Sequence, residues 1–332
     1  MRSKAWCLVL LLMLGGCAPG LMPPGPAVMP PAFELDHFRM EDGARLPLWG
    51  WAPEGAPPKA VALGLHGFND YGQAFKEMGP IFKARGLALY AYDQRGFGRG
   101  PHPGQWAGTG AMAKDANEIA RLLMARHPQA PFYFIGESMG GAVVLAALSS
   151  PEAPKVAGAI LSAPGLWSRK TMGLFQRGLL WVSAHVMPWA TVSGREMGRI
   201  PSDNYDMLRA LGRDPHIIKE TKVAAIHGLV DLMDAGLESA PRITVPLLVL
   251  YGENDQIIPP KPLQLFMDAL PEEAKPRQRL ALYPKGWHML TRDLQAATVH
   301  EDILAWIANP EAKLPSGAES EARERLGKLV AK

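Results

Sequence analysis

The sequence predicts an α/β protein with a mainly parallel sheet, and three observations predict it. Short, continuously apolar runs alternate with helix-length segments, as expected of strands buried on both faces of a parallel sheet. One run, Phe132 to Gly136, passes directly into Gly136-Glu137-Ser138-Met139-Gly140 and then into a small-residue helical pattern. Two later runs each end in a loop with a titratable side chain, Asp255 after the first and His288 after the second.

The N-terminus stands apart from this pattern. Arg2 and Lys4 precede an apolar run, Ala5 to Leu14, that is shorter than the ~20 residues needed to span a bilayer. A charged start and a short apolar run read as a secretory signal, residues 1–16. Leu14-Gly15-Gly16-Cys17 resembles the lipobox of bacterial lipoproteins, which implies that Cys17 becomes the first mature residue and is acylated. Ordinary cleavage after Ala18 would leave Pro19 at the cut, a position signal peptidases handle poorly. Cys7 and Cys17 are the only cysteines, so the mature chain has no thiol for disulfides, thiol catalysis or cysteine metal sites. One lipid chain anchors marginally and two anchor stably, so a diacylated Cys17 would hold the protein on a membrane. The same resemblance, with Ala18 next, implies the bacterial cell envelope, at the outer membrane where the host has one.

Residues 17–31 contain Pro19, Pro23, Pro24, Pro26, Pro30 and Pro31 and read as a tether without structure of its own. Its stretch Ala18 to Pro31 would reach roughly 43 Å at ~3.1 Å per residue. Without Arg2 and Lys4, the basic residues number 33 against 32 acidic ones. No basic run with interleaved aromatics occurs, which argues against nucleic acid as a partner.

Phe33 to Met40 and Leu46 to Trp51 flank Glu41-Asp42-Gly43 as a hairpin. The expected strands are Ala60 to Leu65, Leu87 to Tyr92, Phe132 to Gly136, Gly158 to Ser162, Leu247 to Tyr251 and Arg279 to Tyr283. Ala111 to Arg126 and Gly141 to Leu148 are helical patterns between them. Residues 32–165 and 241–309 thus form the core. The interval 166–240 has no good strand and is rich in Trp, Met and Leu, too long for a plain connection and too apolar for disorder; it reads as a helical insertion. Pro310 stops the last helix, and residues 310–332 are expected to be a polar tail, disordered or loosely helical.

A serine between two glycines where a strand becomes a helix has a mechanical meaning. The turn is so tight that bulky neighbours would clash, hence Gly136 and Gly140, and the Ser138 hydroxyl is exposed above the sheet. The hydroxyl needs a base, and the base an orienting acid. In the order serine, acid, histidine, Asp255 and His288 fill both places, each just beyond a strand. Glu253 lies nearer its strand, but loop geometry favours Asp255. His300 falls inside the last helical pattern, and the other histidines precede Asp255. Two backbone N–H groups must stabilise a developing oxyanion: Met139, directly after the serine, and Phe68, in the His66-Gly67-Phe68-Asn69 loop. His66 reads as a loop-ordering residue.

Together, His66-Gly67-Phe68, Gly136-Glu137-Ser138-Met139-Gly140-Gly141, Gly252-Glu253-Asn254-Asp255 and Gly286-Trp287-His288 resemble the α/β-hydrolase superfamily. The pattern is most similar to its monoacylglycerol lipase and lysophospholipase (serine aminopeptidase-like) group, with Asp214-Pro215 and His300-Glu301 adding to it. The resemblance covers most of Phe33 to Asn309 and implies the α/β-hydrolase fold, a helical cap over an acyl pocket, and a serine ester hydrolase acting through an acyl-enzyme. The substrates it implies are single-chain lipids, a monoacylglycerol or lysophospholipid. A carboxylesterase or thioesterase of small esters, and a non-catalytic lipid-binding or partner-binding lipoprotein, remain open on the same residues. Many relatives have a small residue where Phe68 stands, so the pocket is expected to be narrower here. Gly96-Phe97-Gly98-Arg99-Gly100 reads as a structural turn rather than a phosphate loop. Trp167, Phe175, Trp181 and Trp189 read equally well as packing the cap and as touching lipid. No cofactor fingerprint and no metal cluster stand out.

Overall fold

A computed structural model describes residues 20–194 and 198–331. The signal segment 1–16 and Cys17 lie outside the described residues. The chain forms a nine-stranded sheet from β1 (Ala32–Phe33), β2 (His37–Arg39), β3 (Arg45–Trp51), β4 (Val61–Leu65), β5 (Ala88–Tyr92), β6 (Phe132–Glu137), β7 (Gly158–Ser162), β10 (Leu247–Gly252) and β11 (Gln278–Tyr283). Its order is β1-β2-β3-β5-β4-β6-β7-β10-β11. The first strands pair antiparallel as far as β5, and every pair from β5 to β11 is parallel.

Strands β4, β5, β6, β7 and β10 are buried along their whole length, which is why their sequences are apolar apart from the ends of β6 and β7, Glu137 and Ser162. Alternate residues feed two separate cores. Leu63, Phe134, Leu161 and Val249 pack with Leu123, Val143, Phe266 and Leu326 on one face. Ala62, Ile135, Ile160 and Leu250 pack with Phe82, Ile303 and Trp306 on the other. Helices Thr109–Arg126, Met139–Leu148, Val223–Glu238, Pro260–Ala269 and Ala322–Val330 serve the first core, and Met78–Ala84 and Ala296–Ala308 the second. Gly158 makes room for Trp306, since a Cβ there would lie 2.7 Å from the ring. Burying a side chain of this size contributes on the order of 3–5 kcal/mol, judged by truncation to alanine.

The inserted segment is not purely helical. Thr191–Ser193 (β8), after the helix Leu174–Val186, and Glu220–Lys222 (β9), after the helix Tyr205–Arg213, form an antiparallel ladder. Both strands are short and largely exposed, so they lack the apolar run that marks a core strand. The helix Val223–Glu238 packs on the sheet-covering helix Met139–Leu148, where Gly236 lies against Ala142 and Leu166.

Both flanking segments are more ordered than their composition suggests. Gly20–Pro31 runs along the domain: Met22 N–H donates to Trp106 O at 2.8 Å, Val28 N–H to Glu41 O at 2.8 Å, and Gly25 N–H to Asp42 Oδ2 at 3.2 Å. The prolines have no N–H to satisfy, and these intervening residues find acceptors for theirs. At the other end, the expected loose tail is a packed helix, Ala322–Val330, preceded by a turn in which Ala318 O accepts from Leu282 N–H at 2.9 Å. Leu314, Ala318, Ala322 and Leu326 are its buried residues, a sparse stripe that an otherwise charged sequence conceals. No helix among the described residues is long and apolar enough to cross a membrane.

Candidate active site

The parallel register brings the carboxyl ends of the central strands together. Leu65 of β4 pairs with Gly136 of β6, so the His66 loop lies beside the turn at Ser138. Gly252 of β10 pairs with Tyr283 of β11, so the Asp255 and His288 loops are neighbours.

Ser138 has φ 53° and ψ −116°, a conformation that costs a non-glycine residue of order 1–3 kcal/mol. The surroundings hold it there. Ser138 N–H donates to Ser162 O at 2.9 Å, and Gly165 N–H donates to Ser138 O at 2.8 Å. A Cβ on Gly136 would lie 2.6 Å from Gly140 O, and one on Gly140 only 1.9 Å from Leu65 O. Both glycines are therefore required by backbone contact.

Ser138, His288 and Asp255 form one hydrogen-bonded chain. Ser138 Oγ–H faces His288 Nε2 at 2.9 Å, and His288 Nδ1–H donates to Asp255 Oδ2 at 2.8 Å. The other carboxylate oxygen, Oδ1, accepts from Ile257 N–H at 2.7 Å and Ile258 N–H at 3.0 Å. Burial pushes the His288 pKa down, but the Asp255 charge and hydrogen bond outweigh it and raise the pKa above the ordinary histidine value. An imidazole so placed can accept the hydroxyl proton and return it.

The competing residues have other partners. Glu253 faces the last helix, where Arg325 Nε donates to it at 2.8 Å. His300 is buried and donates from Nε2 to Thr291 O at 3.0 Å. His66 donates from Nδ1 to Gly67 O at 2.8 Å and accepts Gln94 N–H at Nε2 at 3.0 Å, with burial lowering its pKa. It is a neutral ring that ties two loops. Gly98 abuts Asp93, whose carboxylate also accepts from Arg99 N–H and Trp49 Nε1–H, so the glycine-rich turn has a structural role.

Phe68 and Met139 flank the serine from two sides. Gly67, next to Phe68, lies against Ser138, and Met139 opens its helix, where an N–H has no intrahelical partner. Among the described residues neither N–H meets an acceptor. The Phe68 ring packs edge-on against Phe97 at 5.6 Å and beside Trp106 at 6.3 Å. The cap is tied to the same loop, Asn69 Nδ2–H donating to Thr221 Oγ1 at 2.6 Å and Ile218 N–H to Asn69 O at 3.1 Å. Outward on the cap, Phe175 is 82% exposed, Trp189 64% and Trp181 53%, so these three do not pack onto the core.

Sequence reasoning missed the buried charges behind the serine. Arg292 lies between Asp70 and Glu137, and Asp293, its carboxyl raised by burial to about 6, accepts Trp287 N–H and Gln295 N–H. The available signal was position alone: Asp70, Glu137, Arg292 and Asp293 each lie within five residues of a motif residue. No group of three or more His, Cys, Asp or Glu residues capable of holding a metal occurs among the described residues.

The profile of the family described as serine aminopeptidase, S33 (Hydrolase_4) matches residues 56–295. A monoacylglycerol lipase of Mycolicibacterium smegmatis is 26% identical over 279 residues, covering 80% of this chain and 94% of that protein. A monoglyceride lipase of Rattus norvegicus is 27% identical over 294 residues, covering 84% and 92%. The crystal structure of a soluble variant of monoglyceride lipase from Saccharomyces cerevisiae, in complex with a substrate analog, has the same fold. It aligns with a TM-score of 0.68 at 22% identity over 87% of this chain and 99% of that one. The chain belongs to the serine aminopeptidase, S33, family and is a serine ester hydrolase on the α/β-hydrolase fold.

Proposed function

We propose that the protein is a membrane-tethered hydrolase of single-acyl-chain lipids, a monoacylglycerol or lysophospholipid, and that Ser138, His288 and Asp255 are its catalytic triad. The observation that carries this reading is the unbroken chain from the Asp255 carboxylate through His288 to the strained Ser138 hydroxyl. Ser138 Oγ adds to the ester carbonyl carbon as His288 Nε2 takes its proton. The N–H groups of Phe68 and Met139 stabilise the oxyanion. Collapse breaks the bond to the alcohol, which leaves with the proton from His288, and water repeats the sequence on the acyl-enzyme. Asp255 keeps the imidazole in the tautomer that presents Nε2 to the serine.

The lipid substrate is supported by the likeness to monoacylglycerol and monoglyceride lipases and by the exposed apolar side chains of the cap. One observation favours a second reading, an esterase of short acyl chains: the Phe68 ring packs with Phe97 and Trp106, and Gly67 next to it lies against Ser138. The test is fatty-acid release from monoacylglycerol, lysophosphatidylcholine and a short-chain ester, by protein starting at Gly20 and by its Ser138→Ala variant. We expect Ser138-dependent release from a long-chain lipid, with kcat falling on the order of 10⁶-fold in the variant by analogy with a serine protease. Turnover of the short ester alone selects the second reading. Near-normal turnover by Ser138→Ala removes the mechanism.

A further inference from the structure

Three loops around the serine meet at one buried side chain. Arg292 Nη2 lies 2.7 Å from Asp70 Oδ2 and 3.1 Å from Glu137 Oε1, with the guanidinium almost wholly buried. Asp70 closes the turn that brackets Phe68: its N–H donates to Gly67 O, and its Oδ1 accepts Tyr71 N–H at 2.8 Å. Glu137 is the residue immediately before Ser138, and Arg292 is on the loop that carries His288. The Arg292 main chain is fixed as well, its N–H donating to Met289 O at 2.8 Å and its carbonyl accepting Asn204 Nδ2–H at 3.0 Å.

We propose that Arg292 is a positioning residue: through Asp70 and Glu137 it fixes the Phe68 loop against the serine turn and balances the charge that faces His288. The proposal rests on the triad reading above. Two carboxylates around one guanidinium leave an excess of negative charge beside the ring, which favours the imidazolium formed in the transition state. Among the described residues neither Arg292 Nε nor Glu137 Oε2 has a hydrogen-bond partner, so the network is held by a few contacts and is sensitive to the loss of one. The groups around His288 are Asp255 from the loop after β10, Glu137 from the end of β6, Asp70 acting through Arg292, and Arg292 and Asp293 on its own loop. Asp203 of the cap reaches that loop too, accepting Leu294 N–H at 3.0 Å.

The signs follow from charge. Removing the negative Glu137 disfavours the imidazolium, so the acidic limb of the kcat/KM profile moves to lower pH in Glu137→Gln. Removing the positive Arg292 favours it, so the limb moves to higher pH in Arg292→Gln. Arg292→Lys keeps the charge but ends in a shorter side chain, so its ammonium does not reach the place where Nη2 meets both carboxylates. It is expected to hold the limb in place while kcat falls on the order of 10- to 10²-fold at a nearly unchanged KM. The experiment measures these three profiles on folded full-length protein, with active sites counted by fluorophosphonate titration. Glu137→Gln preserves shape and decides the matter if Arg292→Gln does not fold. Opposite shifts and a kcat-only loss in the lysine variant support the proposal. Unmoved limbs, or losses that track only the fraction of titratable sites, overturn it. Ser138→Ala separates the two claims, because its retained turnover would defeat the triad while its inactivity leaves the pH shifts to judge Arg292 alone.

Discussion

Asp255 holds His288 with one carboxylate oxygen while the other is occupied by two backbone amides, so the imidazole faces an acid that cannot turn away. The raised His288 pKa that results has a signed consequence. A base must be neutral to act, so kcat/KM is expected to fall with decreasing pH through a value above the ordinary ~6.5 of histidine. Asp255→Asn should move that limb to lower pH and cost about 10⁴ in kcat. A limb that stays put in the variant would assign it to another group.

The same shift couples to folding. A histidine whose pKa is higher in the folded state stabilises the fold fully below its unfolded pKa, and that contribution is lost as pH rises through the folded value. Urea midpoints of wild type and His288→Gln should therefore draw together as pH rises through this window. Parallel curves would argue against the link.

Glycines make a second, contrasting case. Gly140→Ala forces a methyl group to within 1.9 Å of Leu65 O and should destabilise by about 1–3 kcal/mol or more, with loss of turnover. Gly178 lies inside the helix Leu174–Val186 with open space around it, so Gly178→Ala should stabilise by about 0.5–1 kcal/mol. Melting temperatures of the two variants check both signs.

The anchor is tested at Cys17. We propose that it is diacylated, so wild type should incorporate labelled palmitate and sediment with membranes, and Cys17→Ser should do neither. A labelled, membrane-bound Cys17→Ser protein would mean that the anchor lies elsewhere.

The last helix has its own prediction. Arg325 Nε donates to Glu253, and its Nη2 to Leu282 O at 3.0 Å, bracing the end of β11 and the loop that carries Asp255. Arg325→Ala strands a half-buried carboxylate and is expected to cost about 1–3 kcal/mol, read as a lower urea midpoint. An unchanged midpoint would mean the brace contributes nothing.

Much of this was legible in the sequence because its signals are local. Gly158 to Ser162 matches β7 end for end, and the other core strands differ by one residue at a boundary, since burial on both faces makes their central positions a continuous apolar run. The serine turn was readable because backbone contact demands glycine at two fixed offsets. What could not be read depends on partners distant in sequence. β8 and β9 are polar and exist because each pairs with the other. Val223–Glu238 looks like part of the cap until its glycines are seen against Trp106 and Ala142. Arg292, Asp70 and Glu137 are ordinary charged residues in sequence, and only the convergence of three loops makes them a network.

The brace at Arg325 ties competence to completeness. Glu253 is synthesised 72 residues ahead of the arginine that holds it, and domains assemble from the N-terminus as they are made. A nascent chain that has already exposed Ser138, Asp255 and His288 still lacks the helix steadying the acid's loop. A product clipped near Asn309 would carry every motif residue and remain without that support. The helix Ala322–Val330 thus acts as a clasp closed late, and a fragment that bears the right residues without it holds the acid's loop less firmly.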